Sequence, residues 1–482
     1  MKKVYILFIL PMVILMSCAK NLDDYNVDTK RPTEVPASGL FTGATLNLAD
    51  IITTPNVNSN STRFFVQYWT TTTYLDEPRY NLTARTIPLA LWQGIYRDVL
   101  SDLNEAKKLV EADASIPDAQ QKSNQLAQIE IMEVYSWFVL VTSFGDIPYS
   151  EAFNINNTQP KYDDAATVYT DLLARLNSAL GSLNASSEGF DGSADVLYGG
   201  DITNWIKFGN SLKLKMGLTL SDVAPDVAAT TVQSAASNVF TSSADNAMFP
   251  YESSTPNNNP ISDNLNPSLT SRTDFLPANT LVNAMNSLND PRRQYFFDEN
   301  IAEGYIGGVY GFTNTYAPYS HFDPRIYAYD APAPLMTYSE VEFYLAEAVE
   351  RGFISGSAAT HYTNAVKASI LEWGGTSEEA DAYLAQSSVA YASASGTWKQ
   401  KIGTQAWIGL FNRGYEGWLE WRRLDVPTLL PPSGGNAPSG LVIPKRLIYP
   451  PSELTLNPVN YESASEAIGG DDVATKLFWD LN

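Results

Sequence analysis

Apolar residues return at three- and four-residue steps through most of the chain, the period of a helix with one buried face. Over residues 89–111 the series is Leu89, Trp92, Tyr96, Val99, Leu103, Ala106 and Val110. Residues 125–143 repeat it through Ala127, Ile131, Val134, Tyr135, Phe138 and Val141, and Gly145 with Pro148 stops it. Further helices are predicted over 163–183, through Tyr169, Leu172 and Leu176, and over 203–221, through Trp205, Phe208 and Leu212. In the second half, Ser339 with Glu342 three residues on reads as the capped start of a helix running to Gly352. Residues 358–373 predict its partner, Thr376 and Glu379 begin another helix, and 398–425 reads as one long helix or a pair. The two-residue alternation of half-buried strands is almost absent. Helix pairs about 34 residues long suggest tetratricopeptide-like hairpins, stacked so that each covers its neighbour's apolar face. The expected fold class is all-α.

The regular pattern breaks in three places. Residues 56–85 precede the first helix pair, 249–275 are rich in Asn, Ser and Pro, and 290–338 are rich in Gly, Tyr and Pro. Loops of this length in a compact protein are commonly functional. The expected layout is therefore a body over 41–482, with helix pairs mainly at 86–223 and 335–425 and an irregular binding part mainly at 56–85 and 249–334.

The first residues change the picture of where this body works. Lys2 and Lys3 precede an uncharged, largely apolar run over 4–16, which fits the ~7–15 residues of a secretory core segment. It falls short of the ~20 needed to span a bilayer. Leu15-Met16-Ser17-Cys18 then resembles a bacterial lipobox, and Cys18 is the single cysteine of the chain. Residues 1–17 are expected to be a signal peptide, Cys18 a lipid attachment site, and 18–40 a polar spacer. An acyl anchor contributes about 0.8 kcal/mol per buried methylene, and stable attachment takes more than one chain.

Charge and composition narrow the function. The 31 basic and 53 acidic residues give a net charge of −22. This argues against nucleic acid, whose binding needs a basic surface to release counterions. Histidine occurs only at 321 and 361, which removes the readiest zinc ligands and general bases. No G-x-S-x-G, H-E-x-x-H or P-loop pattern is present, and Gly304 to Gly311 lacks the strand-then-helix context of a dinucleotide site. Paired carboxylates can hydrolyse glycosides, but among so many acidic residues a pair carries no weight. Asp263 with Asn264, or Asp298 with Asn300, offer oxygens to calcium without the loop spacing of a known site. No catalytic residue, metal or cofactor is expected.

Several blocks, in order, resemble the SusD/RagB outer-membrane lipoproteins of Bacteroidetes. They are Phe144-Gly145-Asp146-Ile147-Pro148-Tyr149; Pro160-Lys161-Tyr162-Asp163; Gly200-Asp201 with Trp205 and Asn210-Ser211-Leu212-Lys213-Leu214-Lys215; Ala346-Glu347-Ala348; and Ile402-Gly403-Thr404-Gln405 with Glu416-Gly417-Trp418 and Glu420-Trp421-Arg422-Arg423. Lys215 stands where that family commonly has Arg. Pro444-Lys445-Arg446 and Tyr449-Pro450 are most similar to the second SusD-like branch. The resemblance implies four tetratricopeptide-like helix pairs packed on a loop-rich ligand-binding part. It also implies a SusC-like TonB-dependent transporter as partner and an oligosaccharide, in some members a peptide, as ligand. A surface glycan-processing enzyme and a protein–protein scaffold built on the repeats are the competing classes.

The motif tryptophans and arginines sit on helical patterns and read as packing, with Glu420 and Arg423 spaced to pair on one helix face. Ligand contacts are expected in the irregular stretches. A sugar ring presents apolar C–H faces and a hydroxyl rim, so it wants an aromatic platform beside carboxylate, amide or guanidinium groups. Trp69, Tyr74, Asp76, Arg79 and Tyr80 supply that mixture, and so do Tyr305, Tyr310, Asn314, Tyr316 and Tyr319 among glycines.

Overall fold

The computed structural model describes residues 35–116, 118–299 and 304–481. The signal peptide and Cys18 lie outside them. The chain divides after Pro36, and Ala37–Asn482 forms the body described below.

Helices make most of the body. α1 (Ala37–Thr53) buries Phe41, Ala44, Leu48 and Ile52. α2 (Ile87–Gln93) runs through a π-helical stretch, Gly94–Leu100, into α3 (Ser101–Ala112). α1 packs along this composite helix, and Gly94 is where the two approach: a Cβ there would lie 2.8 Å from the Ile51 side chain. α4 (Ala119–Phe144) packs on α5 (Ala165–Ser182), and α6 (Ile202–Thr219) on α7 (Pro225–Ala235). After α8 (Asn279–Ser287), α9 (Tyr338–Glu350) packs on α10 (Ala358–Glu372), which is followed by α11 (Ser377–Leu384). α12 (Trp398–Gly409) and α13 (Gly414–Leu424) form the last packed pair, and α14 (Pro458–Ala467) follows.

The helix starts are set by side-chain caps, which satisfy amides that have no partner within the helix. The carboxylate of Asp118 accepts from the Gln120 amide, Asp164 from Thr167 and Asp201 from Thr203, each at 2.8 Å. Thr376 and Glu379, and Thr397 and Gln400, form reciprocal capping boxes. α4 ends at Gly145, whose φ of +90° no L side chain holds cheaply. The Asp146 carboxylate then accepts from the Ala165 amide at 2.8 Å, so the Gly-Asp of that block ends one helix and starts the next.

Several expectations need correction. α1 starts at Ala37, inside the stretch read as spacer, because its Thr, Gly and Asn residues dilute an apolar series that is nonetheless helical. α7, α8 and α14 were likewise unforeseen. Of the two readings of 398–425 the pair holds, parted where Asn412 adopts φ +67°. The cap of α9 is Thr337, not Ser339. Ser339 Oγ instead donates to Glu372.

Strands are short. β1 (Trp69–Thr71) pairs antiparallel with β3 (Phe275–Pro277), Trp69 opposite Pro277, and β2 (Ala247–Phe249) pairs with β4 (Ala333–Met336).

Charged residues of the family-like blocks meet in the core. Lys215 on α6 lies between Glu416 on α13 and Glu340 on α9, the latter at 3.1 Å. Arg413 Nη1 is 2.7 Å from Glu340. Arg423 on α13 bonds Glu347 at 2.5 Å and Glu420 at 2.6 Å, and Arg351 joins Glu347 at 2.6 Å. The Glu420–Arg423 pair is thus present as the spacing predicted. Burial works against the charge of Glu340, but Arg413 and Lys215 outweigh it and hold the pKa down to about 2. Trp418 Nε1 donates to Pro444 O at 2.6 Å, and the Arg422 guanidinium stacks 3.5 Å from the Trp418 ring centroid.

Candidate loop-face binding site

The two candidate clusters, more than two hundred residues apart in sequence, are brought together. The β1–β3 ladder extends through Thr72 N to Asp274 O, 2.9 Å, and Ala278 N to Tyr68 O, 3.0 Å. Gly308 N then donates to Pro277 O at 2.9 Å, and Asn279 N to Gly308 O at 2.8 Å. The third segment therefore docks on the end of β3. Glycine is required there: a Cβ on Gly307 would sit 2.6 Å from the Asn279 backbone. The glycines of 304–311 permit close backbone approach and do not mark a flexible loop.

Four of the ten candidates hold this platform together from inside. Trp69 is fully buried, its ring 5.5 Å from Phe275 and 4.4 Å from Phe322. Tyr310 is buried and donates to Phe64 O at 2.5 Å, with its hydroxyl 3.3 Å from that of Tyr80. Burial raises the pKa of Tyr80 to about 12 and that of Tyr310 further. Asn314 is buried, donates to Thr71 O and Phe312 O, and accepts from Val309 N. As ligand contacts, Trp69, Tyr80, Tyr310 and Asn314 are corrected to packing residues. Long loops must bury aromatic surface of their own to stay ordered.

The other six remain half-exposed. Arg79 is fixed: Nε donates to Gly311 O at 2.9 Å, Nη2 to Asn436 Oδ1 at 2.8 Å, and its guanidinium lies 5.7 Å from the Phe312 ring centroid. Asp76 accepts from Asn81 at 3.0 Å, and Arg85 lies over Tyr74 at 5.0 Å. In the second cluster, Asn286 Nδ2 donates to Tyr305 O at 2.8 Å, and Arg293 lies 5.5 Å from the Tyr305 ring. Tyr316 stacks flat on His321, centroids 3.8 Å apart and planes within 5°. Burial raises the Tyr316 pKa to about 12. His321 Nδ1 is 3.2 Å from Asp298. Tyr319 N reaches Tyr316 O at 3.4 Å.

Sequence reasoning missed a third contributor, the loop carrying Pro432, Gly435 and Asn436. Gly311 (φ +76°) abuts Pro432 so closely that a Cβ would overlap its ring, Gly435 abuts Phe312, and Asn436 receives Arg79. Its Pro-Pro-Ser-Gly-Gly-Asn composition is the same turn-rich signal that marked the other loops. His321 was also passed over as a site neighbour. Among the described residues no group of three or more His, Cys, Asp or Glu is placed to hold a metal ion, and no helix is long and apolar enough to cross a membrane.

The fold recurs in solved structures. A chitin-binding protein is 28% identical, with a TM-score of 0.78 covering 92% of this chain and all of that one. A SusD homologue from Bacteroides uniformis is 25% identical, with a TM-score of 0.74 over 92% and 99%. A chitin-binding SusD homologue from Flavobacterium johnsoniae shares the fold at 23% identity, with a TM-score of 0.77 over 92% and 99%. Among curated proteins none matches the sequence. The sequence itself matches a family described as starch-binding and associating with the outer membrane over residues 29–450. That match spans most of the chain, and the protein belongs to the SusD-like family.

Proposed function

We propose that the chain captures oligosaccharides outside the outer membrane and delivers them, unaltered, to a SusC-like TonB-dependent transporter. The carrying observation is the loop face: half-exposed Tyr74, Asp76 and Arg79 from one segment and half-exposed Tyr305, Tyr316 and Tyr319 from another, joined through a backbone platform pinned by Trp69, Tyr310 and Asn314. Tyrosine rings take the C–H faces of a sugar, and Asp76 and the outer edge of Arg79 take its hydroxyls in charge-assisted bonds. Because Arg79 is already oriented by Gly311 and Asn436, little side-chain entropy is lost on binding. Both histidines serve packing or ion pairing, His321 as above and His361 with Glu342 at 2.6 Å. The family's description as starch-binding supports binding over turnover.

A chitin-binding relative at 28% identity makes N-acetylglucosamine oligomers the first ligands to try. The test is calorimetric titration of the chain from Ala19 onward with chito-oligosaccharides, malto-oligosaccharides and peptides. Saturable heat with one sugar class, no product, and at least tenfold weaker binding in Tyr316→Ala or Arg79→Ala are expected. Heat only with peptides, or unchanged affinity in both variants, rejects the reading. The membrane tether is proposed at Cys18, and Cys18→Ser is expected to move the protein out of the membrane fraction. Loss of the transporter from pull-downs of the tagged protein would reject the hand-over.

A further inference from the structure

We infer that the body carries a second, half-open site that takes a compact neutral sugar of one or two rings, apart from the loop face. A cavity of about 490 Å³ lies between the C-terminal ends of α1 and α10, the β2–β4 pair and the α12–α13 link. Its volume falls within the roughly 300–1,000 Å³ of small-molecule pockets. None of the ten loop-face candidates lines it.

The walls mix apolar and polar side chains. Trp373 and Phe411 line it with ring centroids 5.8 Å apart. Glu372 lines it too, and its carboxylate accepts from neutral groups, Ser339 Oγ at 2.7 Å and Asn246 Nδ2 at 3.3 Å. A carboxylate has about four acceptor positions, so capacity remains for ligand hydroxyls. Arg413 lines the cavity with a side chain nine-tenths buried. Nη1 pairs with Glu340, and Nη2 donates one of its two hydrogens to Leu335 O at 3.1 Å. The second hydrogen of Nη2 is the one that a ligand acceptor can take.

The charges select a neutral ligand. An anion would face Glu372 and Glu416, and a cation would face Arg413 and Arg325, all of which line the cavity. A sugar meets both demands, since its hydroxyls donate to Glu372 and accept from Arg413 while a ring face covers the half-exposed Trp373. Asn412, which also lines the cavity, is held at φ +67° with its Oδ1 accepting from Arg63 at 2.9 Å. The turn that presents Arg413 is therefore built, not loose.

The inference shares a ligand class with the proposed function, and the test separates the two. The chain from Ala19 onward is titrated with glucose, N-acetylglucosamine and their β-1,4-linked disaccharides. Wild type and Tyr316→Ala are expected to bind one of these with equal affinity. Glu372→Gln, which keeps the shape and removes the charge, is expected to weaken it at least tenfold, and Trp373→Leu likewise. The same Glu372→Gln protein is expected to bind long oligosaccharides as wild type does. If no mono- or disaccharide binds the wild-type chain, or if Tyr316→Ala abolishes that binding while Glu372→Gln leaves it intact, the second site is wrong. Failure of long oligosaccharides alone would reject the loop face and leave the cavity assignment standing.

Discussion

The helical body and the loop face use the same residue types for opposite ends. In the body, the charged and aromatic residues of the family-like blocks turn inward and consume one another: Lys215 with Glu340 and Glu416, Arg423 with Glu347 and Glu420, Trp418 with Arg422. On the loop face, buried aromatics hold a backbone platform and a second set of tyrosines is left half-covered. A recognisable motif therefore reports on how the body is built. The ligand side is carried by residues that no motif marks, because it needs only an aromatic here and a hydrogen-bonding group there.

The sharpest way to break this comparison is to remove a buried charge. Arg423→Ala leaves Glu347 and Glu420 buried without their shared cation, and removing one partner of such a pair costs about 3–5 kcal/mol. We expect a urea midpoint lowered accordingly, with any protein still folded binding glycan as wild type does. A loss of affinity without a loss of stability would place the network in the binding site. Trp69→Ala comes next: truncating a fully buried Trp costs about 3–5 kcal/mol. If it instead weakened ligand binding at unchanged stability, Trp69 would belong to the platform surface after all.

How much of this was legible in the sequence depended on the kind of force involved. The helices of 125–143, 203–221 and 358–373 were readable because tertiary packing writes a 3.6-residue period into them. α1 was not, since Thr45 and Ala49 are small or polar and still fully buried against a close neighbour. At the loop face the composition pointed to the right segments. It did not separate Tyr310, whose hydroxyl is spent on Phe64 O, from Tyr316, whose ring lies half-open on His321. That division is set by whether a side chain leaves its loop toward the body or toward the open, and in an irregular segment no period records it. The loop of Asn436 was invisible as a partner because its contact with Arg79 spans 357 residues.

Acid offers a milder probe of the body. Glu340 has its pKa depressed to about 2, so its ion pairs contribute stability that is fully present above the unfolded carboxylate value of about 4.3. That contribution is lost as the pH falls from there through 2. Thermal midpoints measured from pH 7 to pH 2.5 are expected to hold to about pH 5 and then fall, and Glu340→Gln is expected to start lower and to fall less. An identical fall in both proteins would show that Glu340 is not the group that titrates.

The finest test lies at one hydroxyl. Tyr310→Phe keeps the ring in place and removes only the donor to Phe64 O, 2.5 Å away, and the contact with the Tyr80 hydroxyl. The net worth of such a bond is about 1 kcal/mol, and leaving the buried carbonyl unpaired brings the cost toward the upper end of about 1–3 kcal/mol. Ligand affinity should not change, because this hydroxyl faces the interior of the platform. Tyr316→Phe makes the complementary change on the open side: stability should stay within about 0.5 kcal/mol, as for surface substitutions away from special features. Any loss of affinity would then come from a hydroxyl that a sugar can reach. If Tyr310→Phe weakened glycan binding and Tyr316→Phe did not, the two faces of the platform would have to be exchanged, and the residues now read as pins would be the ones that hold the ligand.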